Sequence, residues 1–485
     1  MLFSEPSFLY FFLPITLLVY FLLPQPGGRS WARNVWLVLA SLGFFLWREK
    51  VGLLLAPVLL NYGLGLWVGR ARSKGAGRWA IGTAVGLNLA LLVWFKYAGF
   101  MVDNASAVSS LLGGPAFHIK AAALPLGISF LTFHGLSYLV DIHRGDAPAN
   151  GGFLATILYL SFFPKLIAGP IVRYQDFVGQ LAARGVTRED LAIGVQRIAV
   201  GLAKKTILAG TLALTVDQVF GIPAGQLTTG LAWLGALGYT LQLYLDFSGY
   251  SDIAIGLARM FGFRFQENFN YPYVSKSITE FWRRWHISLS TWFRDYLFFP
   301  LGANKRGPAR GYLNLLIVFV LCGFWHGANW TFVLWGLWQG VFLVLERVAL
   351  GRRLARLWAP WQHLYALAVI VTGWMMFRSG SVAAGLQYLK AMAGFAPGTG
   401  AEYRVAMFVD ARGLLALAIG IPVCLPLLPA LRRRLAGVAA RDPERGEALG
   451  RCLAVGSVVA LALLVLGSSM FIASGTYNPF LYFKF

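Results

Sequence analysis

Two histidines stand in sequence contexts suited to chemistry. His326 lies in the run FWHGANW between two apolar segments, and His286 lies forty residues earlier in WRRWHISLSTWFRDY. Burial disfavours the imidazolium ion, so a histidine in an apolar cavity stays neutral and can accept a proton as a general base. His326 is therefore a candidate base that deprotonates a hydroxyl for attack on a thioester. Neither a GxSxG elbow nor a triad spacing is present, so the residues do not favour a covalent serine mechanism.

Three further polar clusters interrupt apolar runs: His134 with Tyr138 and Asp141, Asp246 with Asp252 at a predicted helix bend, and Lys165 with Arg173 around a predicted broken helix. The first three residues are spaced four and three apart, which places them on one helix face. Charged groups within membrane segments are costly, so each cluster indicates either a water-filled passage or polar contacts between helices. No histidine or acidic pair repeats with ligand spacing, and no metal site is predicted.

The composition decides what kind of element positions these residues. Of the 485 residues, 58% are hydrophobic and only 13% are charged, whereas soluble domains carry about 25% charged residues. The net charge is +22, from 42 basic and 20 acidic residues. The basic residues occupy short gaps between long apolar runs, which is typical of a polytopic membrane protein and not of a nucleic-acid-binding protein. A soluble enzyme, a disordered protein and a secreted disulfide scaffold are excluded.

The apolar runs predict an all-α protein with many membrane segments. A helix needs about 20 apolar residues to cross a bilayer, and some runs are shorter, so we expect about ten to twelve spans plus re-entrant or interfacial pieces. Pro164 and Gly169-Pro170 predict a re-entrant break in the first half of the chain. The candidate spans are 7–23, 31–47, 51–69, 79–100, 121–140, 153–168, 191–209, 229–247, 249–263, 312–325, 328–349, 361–378, 413–430 and 452–473.

Basic loops predict the orientation, because cytoplasmic loops of membrane proteins carry an excess of lysine and arginine. Under this rule four basic segments face the cytoplasm, and the poorly basic loops, with the C-terminal tail, face outside. The cytoplasmic segments are 70–78, 264–310, 347–356 and 432–451, and the outer loops are 101–119 and 379–412.

The segment that carries His286 has a helical pattern over 277–297. At 100° per residue one face is apolar and aromatic, which predicts an interfacial amphipathic helix. Arg283, Arg284 and Arg294 lie on or beside its polar face and are candidates to bind an anionic acyl donor. The alternative is that these arginines meet lipid headgroups. The apolar face comprises Ile278, Phe281, Trp282, Trp285, Leu289, Trp292, Phe293 and Tyr296.

The segment that carries His326 predicts a histidine inside the membrane. The apolar run before Gly323 has about 14 residues, which cover roughly 20 Å of a core about 30 Å thick. His326 then lies at a turn between two helices, and an irregular turn at that depth must line a cavity or pack within protein. Trp325, Asn329 and Trp330 are candidates to shape that cavity. The alternative is a histidine that only bonds to a neighbouring helix.

These segments together resemble the membrane-bound O-acyltransferase superfamily, closest to its alginate O-acetylase-like branch. The family fold is a ring of helices around a tunnel, and the resemblance covers nearly the whole chain as one integral-membrane domain, 1–485. His326 matches the catalytic histidine of the family, and His286 matches a second site residue that is Asn, Asp or His in different branches. The matching runs are MLFSEPSFLYFFLPI, LPLGISFLTFHGLSYLVD, FFPKLIAGPIVRY, DFSGYSDIAIG, NFNYPYVSKSITEFWRRWHISLSTWFRDYLFFPLG and FWHGANWTFVLWG.

The resemblance divides the domain into N-terminal helices over 1–120, a catalytic core over 121–350 and C-terminal helices over 351–485. His134, Tyr138 and Asp246 are further candidates to line the tunnel. The resemblance implies an enzyme of the bacterial inner membrane that takes an acetyl group from acetyl-CoA or another acyl thioester, with no bound cofactor. A periplasmic partner with an SGNH-hydrolase-like domain then completes transfer to an exported polysaccharide. Membrane lipids are contacts, and nucleic acid is not.

Several alternatives remain open from the residues. Alginate is the acceptor implied by the nearest branch, whereas related branches modify cellulose or peptidoglycan, or transfer D-alanine to teichoic acid. A channel or flippase for a glycan or an acyl carrier would share the polar passage without consuming a thioester. A scaffold that only anchors a biosynthetic complex would need none of the intramembrane polar residues.

Overall fold

The computed structural model describes residues 1–25, 30–71, 73–119, 124–148, 152–182 and 184–475. Within these ranges every regular element is helical, and no β-strand occurs. The all-α fold class predicted from the sequence is confirmed. Arg72 of the first basic segment, the start of the predicted span 121–140, and the end of the C-terminal tail lie outside the described residues.

Several helices are long and apolar enough to cross a membrane. By length and composition the described residues contain six such helices, or seven if one pair bent by 54° is a single span. The chain is thus a multi-pass membrane protein. The helices that pass this test are fewer than the ten to twelve spans predicted, and other predicted spans correspond to shorter apolar helices. The six are Gly52–Arg70, Lys74–Leu111, Arg188–Phe220, Pro308–His326, Trp330–Leu354 and Gly446–Ala473.

The N-terminal helices follow the predicted apolar runs closely. Ser73 begins one of them, because its side chain accepts a hydrogen bond from the Ala76 backbone N–H and so satisfies an end group of the helix. Asn61 and Asn88 exchange amide hydrogen bonds of 3.0 Å between two helices. The bounds are Phe8–Phe12 (a π-helical turn), Leu13–Leu22, Trp31–Leu46, Gly52–Arg70, Lys74–Leu92, Val93–Tyr97 (π-helical) and Ala98–Leu111.

The middle of the chain confirms one predicted break and corrects another. Around Pro164 the chain forms only short buried helices and then an extended stretch, as the proline and glycine signals predict. The predicted separate spans 229–247 and 249–263 are instead one continuous helix, with no break at Asp246 or Asp252. The bounds are Ile128–Arg144, Phe153–Ser161, Phe163–Leu166, Tyr174–Val178, Arg188–Leu202, Ala203–Ala209 (π-helical), Gly210–Phe220, Ala224–Gln226 (3₁₀) and Thr229–Met260.

The single helix 277–297 predicted around His286 is also wrong. The chain forms two seven-residue helices, Ile278–Arg284 and Ile287–Phe293, which are interrupted at Trp285 and His286. The predicted apolar face is nevertheless correct, because seven of its eight residues are buried and Tyr296 is half-buried. Those residues pack against the protein interior, so the segment is not a surface helix.

The C-terminal part contains the helical hairpin that carries His326, which we call the His326 hairpin, residues 308–345. Its two helices are followed by a π-helical turn and then by the remaining C-terminal helices. The bounds are Pro272–Val274 (3₁₀), Arg294–Phe298 (π-helical), Pro308–His326, Trp330–Leu345, Glu346–Leu350 (π-helical), Gly351–Leu354, Ala359–Arg378, Val382–Met392, Val405–Met407 (3₁₀), Ala411–Val423, Leu427–Arg441 and Pro443–Ala473.

Candidate active site

His326 is the last residue of the first helix of the hairpin. This helix begins at Pro308 and has 19 residues, so it is longer than the 14-residue run expected and is about 28 Å in length. The imidazole is surrounded by aromatic rings, with centroid separations of 4.8 Å to Trp325, 5.1 Å to Trp335 and 5.2 Å to Phe377. Such surroundings favour a neutral ring, because they solvate the imidazolium poorly.

A cavity of about 520 Å³ reaches His326. Most of its wall comes from residues 124–130, and charged side chains from two other segments complete it. His326 is only partly buried and lines this space. The polar and aromatic residues of the wall are Arg48, Glu49, Lys96, Ser129, Phe130, Trp325 and His326.

Two glycines hold the helices of the His326 hairpin in close contact. A Cβ atom on Gly323 would lie 2.2 Å from the backbone oxygen of Phe332, and one on Gly336 would lie 2.2 Å from that of Phe319. Small residues at such positions let membrane helices approach closely. The close approach sets Trp335, which precedes Gly336, against the His326 ring.

His286 lies at the break between its two short helices, with φ of 42° in the left-handed region. Its Nδ1 is 3.1 Å from Asn268 Oδ1, and this oxygen also accepts hydrogen bonds from the Ser288 backbone N–H at 3.2 Å and from Ser288 Oγ at 2.9 Å. A backbone N–H can only donate, so the Asn268 atom is an oxygen and His286 Nδ1 carries the proton. Nε2 is therefore the basic nitrogen of the neutral ring.

Burial keeps His286 in that neutral form. The residue is 1% exposed, and desolvation lowers the pKa of His286 to about 3. The ring of Phe247 meets it edge-on, with centroids 4.8 Å apart. At neutral pH this histidine can accept a hydrogen bond through Nε2 but does not carry a charge.

A path of aromatic ring contacts links the segments that carry the two histidines. Trp285, next to His286, contacts Trp374 with centroids 4.9 Å apart, and Trp374 stacks on Trp335 at 5.7 Å. Trp335 in turn touches His326. The structure thus connects the two residues that the sequence singled out.

The other candidates beside His326 have different positions. Trp325 contacts the His326 ring and lines the cavity. Asn329 caps the second helix of the hairpin, since its Oδ1 accepts from the Thr331 backbone N–H at 3.0 Å. Trp330 is 52% exposed, and its indole donates to Asn104 Oδ1 at 2.9 Å. Asn329 and Trp330 therefore shape the turn, while Trp325 alone of these three touches the histidine.

His134 and Tyr138 form a separate buried cluster. His134 packs against Tyr159 with ring centroids 5.6 Å apart, and Tyr138 packs against Tyr174 at 4.9 Å. Lys165 is fully buried in the same place, with its Nζ 4.0 Å from the centroid of the Tyr159 ring. These contacts link the helix of His134 to the broken segment around Pro164.

The remaining charged candidates are engaged elsewhere. Asp246 forms a buried ion pair with Lys205. Arg284 pairs with Glu280 at 2.9 Å and Arg294 pairs with Asp295 at 2.7 Å. Arg283 is exposed and makes neither a hydrogen bond nor an ion pair within the part of the chain that the structure describes. Of the three arginines, it is the one that forms no ion pair among the described residues.

The sequence analysis missed Lys96, Trp335, Phe377 and Asn268. Lys96 donates to the backbone oxygens of Trp325 at 2.5 Å and His326 at 3.1 Å. Its signal was a lysine inside the predicted span 79–100, since an ionisable residue in an apolar run is a functional candidate. Over the described ranges, no group of three or more His, Cys, Asp or Glu side chains has the arrangement of a metal site.

Fold and site together define a multi-pass membrane protein with an aromatic-lined histidine site, and comparison with known proteins supplies its class. The chain belongs to the membrane-bound O-acyltransferase family, whose family model matches residues 146–386. It is therefore an O-acyltransferase.

Individual relatives give a narrower picture. The chain is 40% identical to a protein of Pseudomonas putida named "probable alginate O-acetylase AlgI", over the full length of both chains. It is 45% identical to the Pseudomonas aeruginosa protein of the same name, over 81% of this chain and 75% of the relative. A peptidoglycan O-acetyltransferase of Helicobacter pylori is 34% identical over 81% of this chain and 80% of its own length.

Proposed function

We propose that this enzyme takes an acetyl group from a cytoplasmic thioester, acetyl-CoA or another acyl thioester, for O-acetylation of exported alginate. Its place would be the inner membrane of a bacterium. The observation that carries the proposal is full-length similarity, at 40% identity, to a relative named as a probable alginate O-acetylase. The peptidoglycan-modifying relative is both less similar and matched over a smaller share.

His326 is the proposed general base at the thioester. Its neutral ring takes the proton from a hydroxyl, whose oxygen attacks the thioester carbonyl carbon. The carbon–sulfur bond then breaks, and the imidazolium returns the proton to the leaving thiolate. Its place beside the 520 Å³ cavity and the aromatic rings around it support this role, because the cavity leaves room for a reacting group and the rings solvate the imidazolium poorly.

His286 is the proposed positioning partner of His326. Because Nδ1 is hydrogen-bonded to Asn268, Nε2 of His286 accepts a hydrogen bond from the acyl-thioester substrate or from the attacking hydroxyl group. Arg283 is a candidate to bind the anionic part of the donor, because its guanidinium is exposed. We further propose that the acetyl group passes to a periplasmic partner with an SGNH-hydrolase-like domain, which acetylates the polysaccharide.

Replacement of His326 tests the assignment. We expect His326→Ala to insert normally and to lose at least 100-fold in acetyl transfer from the thioester, because removal of a general base costs roughly 10²–10⁴-fold in rate. His143→Ala is the matched control, since His143 is exposed at a helix end. Acetyl content of the exported polysaccharide and thioester consumption by purified protein are the measurements.

Three outcomes would overturn parts of the proposal. Full thioester turnover by a correctly inserted His326→Ala protein would remove His326 from the mechanism. Wild-type protein that moves a glycan or an acyl carrier without consuming thioester would be a channel or flippase. If the wild-type enzyme, with its partner present, acetylates peptidoglycan and not alginate, the proposed chemistry stands and the proposed acceptor is wrong.

A further inference from the structure

The helix that ends at His326 lacks the usual C-terminal cap. The last four carbonyl groups of a helix have no partners within it, and a left-handed glycine commonly closes the end with backbone hydrogen bonds. Gly327 follows His326, but its φ of −164° is extended, so it does not form that turn. The carbonyl groups at this end must therefore find other partners inside the protein.

Two consecutive residues of another helix supply these partners. The Nζ atom of Lys96 donates to the carbonyl oxygens of Trp325 and His326, and the hydroxyl group of Tyr97 donates to the Phe324 carbonyl oxygen at 2.9 Å. The last three carbonyl groups of the helix are thus all bound from outside it. Lys96 also reaches Ser129 Oγ at 3.5 Å, so an ammonium group has an acceptor for each of its three protons.

Local helix geometry directs Lys96 and Tyr97 towards the end of the helix that carries His326. Lys96 and Tyr97 lie in the π-helical turn Val93–Tyr97, which inserts an extra residue into a helix and is frequent at functional sites. The ammonium group also sits at the negative end of the His326 helix dipole, where a cation is stabilised. Tyr97 stacks on Phe324 with ring centroids 4.2 Å apart, which fixes the two segments side by side.

We propose that Lys96 is a positioning residue for acyl transfer, which holds His326 in its reactive place by capping the end of its helix. The inference rests on the proposed role of His326. Lys96 borders the same cavity as His326, yet its contacts are with the backbone of the histidine and not with its ring. It therefore acts on the reaction through the position of that ring.

The test compares Lys96→Gln with Lys96→Arg in purified protein that consumes acetyl thioester. Glutamine removes the charge and one of the three donors, and its shorter, planar amide cannot reach all three acceptors of Lys96. We therefore expect kcat to fall at least tenfold while KM for the acyl donor stays within twofold. Arginine retains the charge and the donors, so Lys96→Arg should keep kcat within about fivefold of wild type. The loss expected for glutamine follows because small displacements of a reacting group cost orders of magnitude in rate. Lys74→Gln, an exposed position on the same continuous helical segment, should match wild type.

Tyr97→Phe separates positioning from general stability. It removes a hydrogen bond from the same helix end but leaves both bonds from Lys96, so it should lower thermal stability in detergent with a smaller loss of kcat than Lys96→Gln. Equal kcat in Lys96→Gln and wild type would overturn the inference. If the glutamine variant does not accumulate, a tenfold loss of kcat in a well-folded Lys96→Arg protein would also overturn it. A wild-type enzyme without thioester turnover would instead refute the proposed function.

Discussion

Gly336 offers the sharpest prediction, because its environment sets the size of the effect. A Cβ atom at this position would lie 2.2 Å from the Phe319 carbonyl oxygen and 3.2 Å from the Cα of Gly323. Both are backbone atoms, which cannot rotate away as a side chain can. In Gly336→Ala the two helices of the His326 hairpin must therefore separate until the contact reaches at least 3.0 Å.

That separation acts directly on the site. Overpacking of this kind costs about 1–3 kcal/mol of stability. The residue beside Gly336 is Trp335, whose ring lies against His326, so the displacement moves a wall of the site. A misplacement on the order of 1 Å costs roughly 100-fold in rate. We therefore expect Gly336→Ala to fold with reduced stability and to lose about two orders of magnitude in acetyl transfer.

Gly340→Ala is the control on the same helix. Its Cβ would meet side-chain atoms of Leu316 and Phe319 at 3.2 Å, contacts that small adjustments relieve. It should keep its rate within about threefold of wild type, because nothing near His326 has to move. Thioester consumption per mole of folded protein and thermal unfolding in detergent are the two assays. Wild-type rate in Gly336→Ala would refute the claim that close packing of the hairpin places Trp335 and His326.

Two further predictions concern charge. Burial lowers the pKa of His286 to about 3, so its ring stays largely uncharged between pH 7 and 5. His286→Gln should therefore leave any fall in rate over this range unchanged. A pH–rate profile whose acidic fall disappears in the variant would contradict this. Lys205→Met removes the ion-pair partner of the buried Asp246 carboxylate and should cost about 3–5 kcal/mol, while the double variant Lys205→Met with Asp246→Leu should recover most of the thermal stability. Equal stability of the single and double variants would show that the pair is not coupled.

Hydropathy predicted most of the long helices, because membrane spans are defined by apolar length. It could not predict the interruption at Trp285 and His286, since neither proline nor glycine marks it. The break is held by Asn268, which lies 18 residues away in sequence and receives hydrogen bonds from both His286 and Ser288. A contact between a loop and a helix end leaves no periodic signal.

Polar residues inside apolar runs were harder to interpret. Asp246 and Asp252 suggested a boundary between two spans, but both lie within one continuous helix, where they form ion pairs with Lys205 and Lys204. Lys96 was overlooked because its partners are backbone oxygens 229 and 230 residues away, and backbone acceptors have no sequence signature. The two histidines could be singled out from the sequence because their motifs are local to it, and their roles stay predictions.

The left-handed backbone at His286 limits which residues can occupy that position. Apart from glycine, Asn, Asp and His are the residues enriched at such positive φ values, and these are the three that the family resemblance implies for the second site residue. Glycine would fit the backbone but would lack a side chain to contact the substrate. A β-branched residue would be strained at this positive φ. The backbone conformation therefore limits the residue types at position 286 independently of the chemistry. Few substitutions intended to alter the reaction at this position are compatible with the fold.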